Sequence, residues 1–181
     1  MSVGRSKVKK KVPVLIFFLF FSLQSAEIIE TVVANLNGRA ITYSEIIQEG
    51  ELINIENNIP PDTALNQELK KKILDLVIFR IIAFQEAKSQ NITVEDETVQ
   101  KKVKTYKTNI YMPDFLKKYE ISDLEFNTMI KMRLLGDKLT EDFVERRFKD
   151  KEPSYEEVTK AVSEWQKNLF KKQRLVFYSI P

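Results

Sequence analysis

The chain of 181 residues has neither cysteine nor histidine, only four glycines and one tryptophan. Each absence closes a class of chemistry. Without cysteine there is no disulfide, so the fold is held by packing. No thiolate is available as a nucleophile and no imidazole as a general base, and zinc sites built from Cys or His are excluded. No glycine-rich loop suited to cradling phosphate occurs, so nucleotide dependence is not expected. Carboxylates, Lys, Ser, Thr and Tyr remain as the only catalytic groups. The balance favours a binding or structural role over an enzymatic one, with no cofactor and no metal.

The amino terminus carries a basic stretch (Arg5, Lys7, Lys9, Lys10, Lys11), an apolar run Val12–Leu23 and the small residues Ser25 and Ala26. That is the layout of a secretory signal peptide over residues 1–26. The apolar run is shorter than the roughly 17–25 residues needed to span a bilayer, and Pro13 interrupts it. The expected location is therefore the periplasm, without a stable membrane anchor; the alternative is a retained leader holding the protein to the inner membrane. Five of the 29 basic residues and none of the 26 acidic ones precede Glu27, leaving 24 basic against 26 acidic groups, a net of −2. Nucleic acid is not expected as a partner, because that binding is driven by phosphate neutralisation. Residues 27–181 suit one domain.

Thr31–Glu45 reads TVVANLNGRAITYSE. A β-branched run meets Asn37-Gly38, a type I′ hairpin signal in which both residues take positive φ. A short return strand, Arg39–Ile41, enters a helix through the capping box Thr42/Glu45, flanked by Ile41 and Ile46 as a staple. Ser122/Glu125 and Ser154/Glu157 repeat the box, and Thr93/Asp96 is a weaker fourth. Helices are predicted over Tyr43–Glu56 (with Ile46, Ile47, Gly50 and Ile53 or Ile55 inward), Leu65–Gln90, from Thr93 to a break at Asn109–Pro113, over a short turn Asp114–Tyr119, from Ser122 to Phe148, and beyond Ser154. Asn91 is a left-handed C-terminal cap. Lys149–Pro153 is a polar linker. The closing Arg174–Ile180 (RLVFYSI) reads as a strand, and Thr31–Leu36 is its natural partner, so the two ends of the domain should meet.

This order of parts resembles the SurA family of periplasmic chaperones, specifically the amino-terminal peptide-binding module with the terminal helix and strand that complete it. The resemblance is carried by VVANLNGRAITYSEI, the helix Leu69–Lys88, QNITVEDETV at Gln90–Val99, the helix Leu124–Phe148 ending in ERRF, and the closing SEWQKNLFKKQRLVFYSI. It implies a mainly helical cradle with a small antiparallel β element, closed by pairing of the first and last strands. Family members typically carry one or two parvulin prolyl-isomerase domains before the terminal helix. Here Lys149–Pro153 alone stands in that place, and a domain of roughly a hundred residues does not fit there. Isomerase activity, which in that family depends on His, is not expected.

The resemblance implies ATP-independent holding of unfolded polypeptides, such as outer-membrane proteins in transit. A dedicated assembly subunit, or one that pairs with a second copy of itself, is the alternative. Holding requires an exposed, adaptable apolar patch. The candidate client-binding residues are Tyr106, Ile110, Tyr111, Met112 and Phe115 around the helix break, joined by Met129 and Met132. The competing reading places them in the core. Trp165 lies on a regular stripe and is expected to pack. Asp75 and Arg80, polar groups on the most apolar helix, either mark a pocket or find charged partners.

Overall fold

The computed structural model describes residues 30–181; the expected secretory segment lies outside the described residues. Strands β1 (Val32–Leu36) and β2 (Arg39–Thr42) form the hairpin, with Asn37 at φ 54° and Gly38 at φ 93° in its turn. Glycine at the second position takes that φ without steric cost. Thr42 caps α1 (Tyr43–Glu56), and its hydroxyl and the Glu45 carboxylate satisfy each other's free N–H groups. The chain continues through α2 (Gln67–Ser89), α3 (Asp96–Lys107), α4 (Met112–Lys118), α5 (Asp123–Arg147), α6 (Tyr155–Lys171) and β3 (Leu175–Phe177). The capping boxes at Ser122 and Ser154 both close.

The sheet is antiparallel, in the order β2-β1-β3. Ala34 faces Phe177, Asn35 faces Val176, and the Tyr178 N–H donates to the Val33 carbonyl at 2.9 Å, so the last strand lies beside the first. The fold is thus mainly helical with a small sheet, as expected. Helix α2 is its axis and packs on α1, α5 and α6.

Three helices end alike. Asn58, Asn91 and Glu120 take positive φ, and the residue after each donates back to a carbonyl in the last helical turn: Ile59 to Asn54, Ile92 to Ala87, Ile121 to Leu116. These are Schellman motifs with their apolar follower in place.

Two apolar clusters share α1 and α5. One joins the sheet (Val33, Leu36, Ile41) to Ile46 and to α2, with Leu139 and Leu169. The other gathers Leu52 and Ile55 with Val99, Val103, Tyr106, Met112, Phe115, Phe126 and Ile130. Trp165 stacks on Phe143 at 4.6 Å and meets the edge of Phe79, tying α6 to α5 and α2.

Local expectations fail in three places. Thr93 caps nothing: α3 starts after Glu95 without a side-chain cap, and the Thr93 carbonyl accepts from Lys138 at 3.0 Å. The chain does break between α3 and α4, over Thr108–Tyr111, but α4 starts at Met112, before the expected Asp114, because the missing N–H of Pro113 costs nothing in a first turn; Met112 is thereby drawn inward. In α1, Ile46, Gly50 and Ile55 are buried as expected and Ile47 is only half-buried, whereas Leu52, Glu49 and Glu51 are buried too, the two glutamates by finding cations.

Candidate functional site

Three helices meet around a buried ion network. Glu49 of α1 accepts from both Arg80 of α2 and Arg133 of α5. Arg133 also reaches Glu56, which accepts from the Tyr106 hydroxyl, and Arg133 Nη1 donates to that hydroxyl at 3.1 Å. Arg133 and Glu49 are both buried. Burial pushes the Glu56 carboxyl above its usual range, with Arg133 pulling the other way. Burial and the neighbouring Arg133 push the Arg80 guanidinium down. Among the described residues no buried side-chain polar atom is left without a partner, so the network is closed, as buried charge requires.

Above it opens a pocket of about 160 Å³ between α1, α2 and α5. Val77 and Ile81, one turn apart on α2, form one wall, and Met129 and Met132 on α5 the other. Glu49, Arg80 and Arg133 line its polar side, and the Arg39–Glu45 pair, at 2.9 Å, flanks it. Arg133 follows Met132 directly and Arg80 precedes Ile81, so each helix offers an apolar group and a guanidinium to the same opening. Thioethers and branched side chains accept apolar groups of varied shape. Guanidinium groups add donors for a carbonyl or carboxylate. No nucleophile with an adjacent base lines this opening. The raised Glu56 is accounted for by its place in the ion network.

The residues expected to bind clients divide. Met129 and Met132 line the pocket. Tyr106, Met112 and Phe115 do not: Met112 and Phe115 are each 1% exposed in the second cluster, and the Tyr106 hydroxyl is committed to Glu56. Tyr111 is half-buried against the same cluster, and Ile110, 79% exposed, lies outside the pocket. Met112 and Phe115 are therefore corrected to core, because α4 folds its apolar face onto α1 and α3, and Tyr106 of α3 is buried with them, whereas Ile110 stays exposed. Sequence reading missed Val77, Ile81, Glu49 and Arg133. The signal lay in complementary charge at matching helical depth: Arg80 beside Ile81, Arg133 beside Met132, and Glu49 and Glu56 two turns apart on α1. Of Asp75 and Arg80, the polar groups within the apolar stretch of α2, Arg80 finds a charged partner and Asp75 does not, among the described residues.

A helical frame closed by its terminal strands, with an open thioether-lined groove, is a binding domain. The chain belongs to the SurA-like N-terminal domain family, whose model matches residues 5–140. The family is chaperone-type and polypeptide-binding rather than catalytic. The match ends before α6 and β3, so the strand that pairs with β1 comes from beyond the matched span. No curated protein matches the chain.

Proposed function

We propose that the protein is an ATP-independent holdase of the periplasm that binds unfolded envelope proteins, outer-membrane proteins among them, through the Met129–Met132 groove. The observation that carries this reading is an adaptable apolar opening above a closed, rigid ion network, while the neighbouring apolar side chains are packed inside. An extended client places an apolar side chain between the α2 and α5 walls, and its backbone carbonyls meet Arg80. Such contacts are few, so binding is weak and quickly reversed, which suits a client in transit. The leader-like residues 1–26 supply the route to the periplasm. Prolyl-peptide isomerisation is not part of the activity.

The test is light scattering of a denatured outer-membrane protein diluted into buffer without nucleotide. The protein suppresses aggregation near stoichiometric ratio, and the Met129→Ser/Met132→Ser double variant loses most of that effect at a temperature where it is still folded, Met129 also packing on the second cluster. Aggregation unchanged by the unsubstituted protein would sink the proposal.

A further inference from the structure

The sheet ends one strand early. In the β1–β3 ladder, Asn37 donates to the Arg174 carbonyl and Tyr178 to the Val33 carbonyl, each at 2.9 Å. Hydrogen-bonded positions alternate in an antiparallel pair, so Arg174, Val176 and Tyr178 turn their backbone groups toward β1. Leu175 and Phe177 turn theirs outward, and among the described residues those groups meet no backbone partner. Proteins usually blunt such an edge with charge or proline. Leu175–Ile180 carries neither, and Phe177 and Tyr178 are half exposed.

Beside this edge lies an open pocket of about 520 Å³, lined by Leu74, Lys71 and Asp75 of α2 and by Phe177 through Ile180. Phe177 pairs with Ala34 and Leu175 with Leu36, both buried, so the side chains of Leu175 and Phe177 stand on the core face of the sheet. A strand added to β3 would send its own core-facing side chain into this pocket. Asp75 has no ion pair or hydrogen bond among the described residues, although Lys71 lines the same pocket. Asp75 is exposed at the mouth of the pocket, and partial desolvation by its neighbours lifts its carboxyl above the ordinary value.

We propose that the outer edge of β3 binds an extended polypeptide as a fourth, backbone-paired strand, with an apolar side chain in the pocket and a lysine or arginine of that polypeptide on Asp75. Main-chain pairing supplies sequence-tolerant affinity, and the pocket supplies the preference. A second copy of this chain is the poorer occupant, because its own Leu175–Ile180 brings no cation to Asp75. The inference rests on the reading that the protein handles extended chains, but it places them against residues 67–75 of α2, apart from the methionine groove at Val77 and Ile81.

The probe is a labelled peptide of about ten residues, alternating threonine with valine or phenylalanine around one central lysine. Amide exchange followed by NMR in the unsubstituted protein should show Leu175 and Phe177 slowing about tenfold or more on adding peptide, while Val176 and Tyr178 are slow already. Phe177→Pro deletes an outward N–H together with the ring that lines the pocket, and Phe177→Ala deletes the ring alone; the proline variant should bind about tenfold or more weaker than the alanine variant, with circular dichroism unchanged in both. Glutamate in place of the peptide lysine should weaken binding several-fold, and Asp75→Asn should erase that difference. Peptide binding that leaves the Leu175 and Phe177 amides unchanged, or protection of those amides that instead rises with protein concentration alone, overturns the proposal. The Met129→Ser/Met132→Ser variant should still bind this peptide, so failure of the groove and failure of the edge are read separately.

Discussion

Arg133, midway along α5, is buried against Glu49 of α1, with only 7% and 8% of the two residues exposed at the pocket they line. Everything around the pair is arranged to make that tolerable: Arg80 is a second cation for Glu49, and Glu56 with Tyr106 takes the far side of Arg133. Removing one partner leaves the rest uncompensated. Arg133→Ala is therefore expected to cost about 3–5 kcal/mol. For a domain of this size that is a fall in Tm on the order of 10 °C, measured by thermal or urea unfolding. Arg133→Met combined with Glu49→Leu removes the central pair and leaves Arg80 and Glu56 without their ion partners, so it should cost less than the sum of the two single losses without restoring the parent's stability. Additive losses in the double variant would refute the network.

The cap of α6 sets an acid limit. Glu157 sits between the Lys151 ammonium and the Ser154 cap, and these hydrogen bonds hold its carboxyl down, from 4.5 to about 2. Its folded value is depressed, so the stabilisation is complete above about pH 4.5 and is lost as pH falls through about 2. Trp165, the only tryptophan, reports α6 docking through its stack on Phe143. Acid titration followed by its fluorescence should show the midpoint of α6 release moving to higher pH in Glu157→Gln. A midpoint that does not move removes Glu157 from the account.

Glu56 works with the opposite sign. Its folded carboxyl titrates above 4.5, so the native state holds a proton that the unfolded chain has released, and stability declines as pH rises through the window above 4.5. Glu56→Gln should flatten that decline in urea unfolding measured across the window. An unchanged slope would place the proton elsewhere.

The ends of helices were the most legible features of this sequence, because a cap is a local hydrogen-bonding problem solved by three or four residues. Thr42/Glu45, Ser122/Glu125 and Ser154/Glu157 all close as their spacing demands. Pairing of the terminal strands was legible for a different reason: Arg174–Ile180 had backbone groups to satisfy, and few other β-like segments to satisfy them. The site was only half legible. Met129 and Met132 follow from composition, but the wall opposite and the ion network come from three helices meeting in space, and no local rule encodes which glutamate faces which arginine. Met112 and Phe115 misled because Pro113 reads equally as a break or as a first helical turn, and only the surrounding packing decides.

Two glycines should respond to alanine with opposite signs. Gly136 lies inside α5 where it crosses α2, and an added Cβ would stand 3.8 Å from Ala83 Cβ and Phe79 Cε1, an ordinary contact. Gly136→Ala is expected to stabilise by about 0.5–1 kcal/mol, the helix-interior cost of glycine. Gly38 meets nothing nearby but has φ 93°, which disfavours any L side chain. Gly38→Ala is expected to destabilise by about 1–2 kcal/mol. Urea midpoints moving in the same direction for both would contradict the turn or the crossing.

The seven residues first suspected of client contact separate into structural and exposed groups, and a pair of measurements on each variant tells them apart. Phe115 is fully enclosed by α1, α3 and α4, with its ring 5.2 Å from Tyr119. Its truncation to Ala leaves a cavity and should cost about 3–5 kcal/mol. Ile110 projects into water, and Ile110→Ser should change stability by less than about 0.5 kcal/mol. Neither change touches the opening between Val77, Ile81, Met129 and Met132, so at a temperature where each variant is folded, both should suppress aggregation as well as the parent. Met132→Ser should do the reverse, keeping most of the stability and losing holding. If Phe115→Ala, still folded, lost holding while Met132→Ser kept it, clients would be meeting the helix break around α4, and the groove between α2 and α5 would be a structural seam.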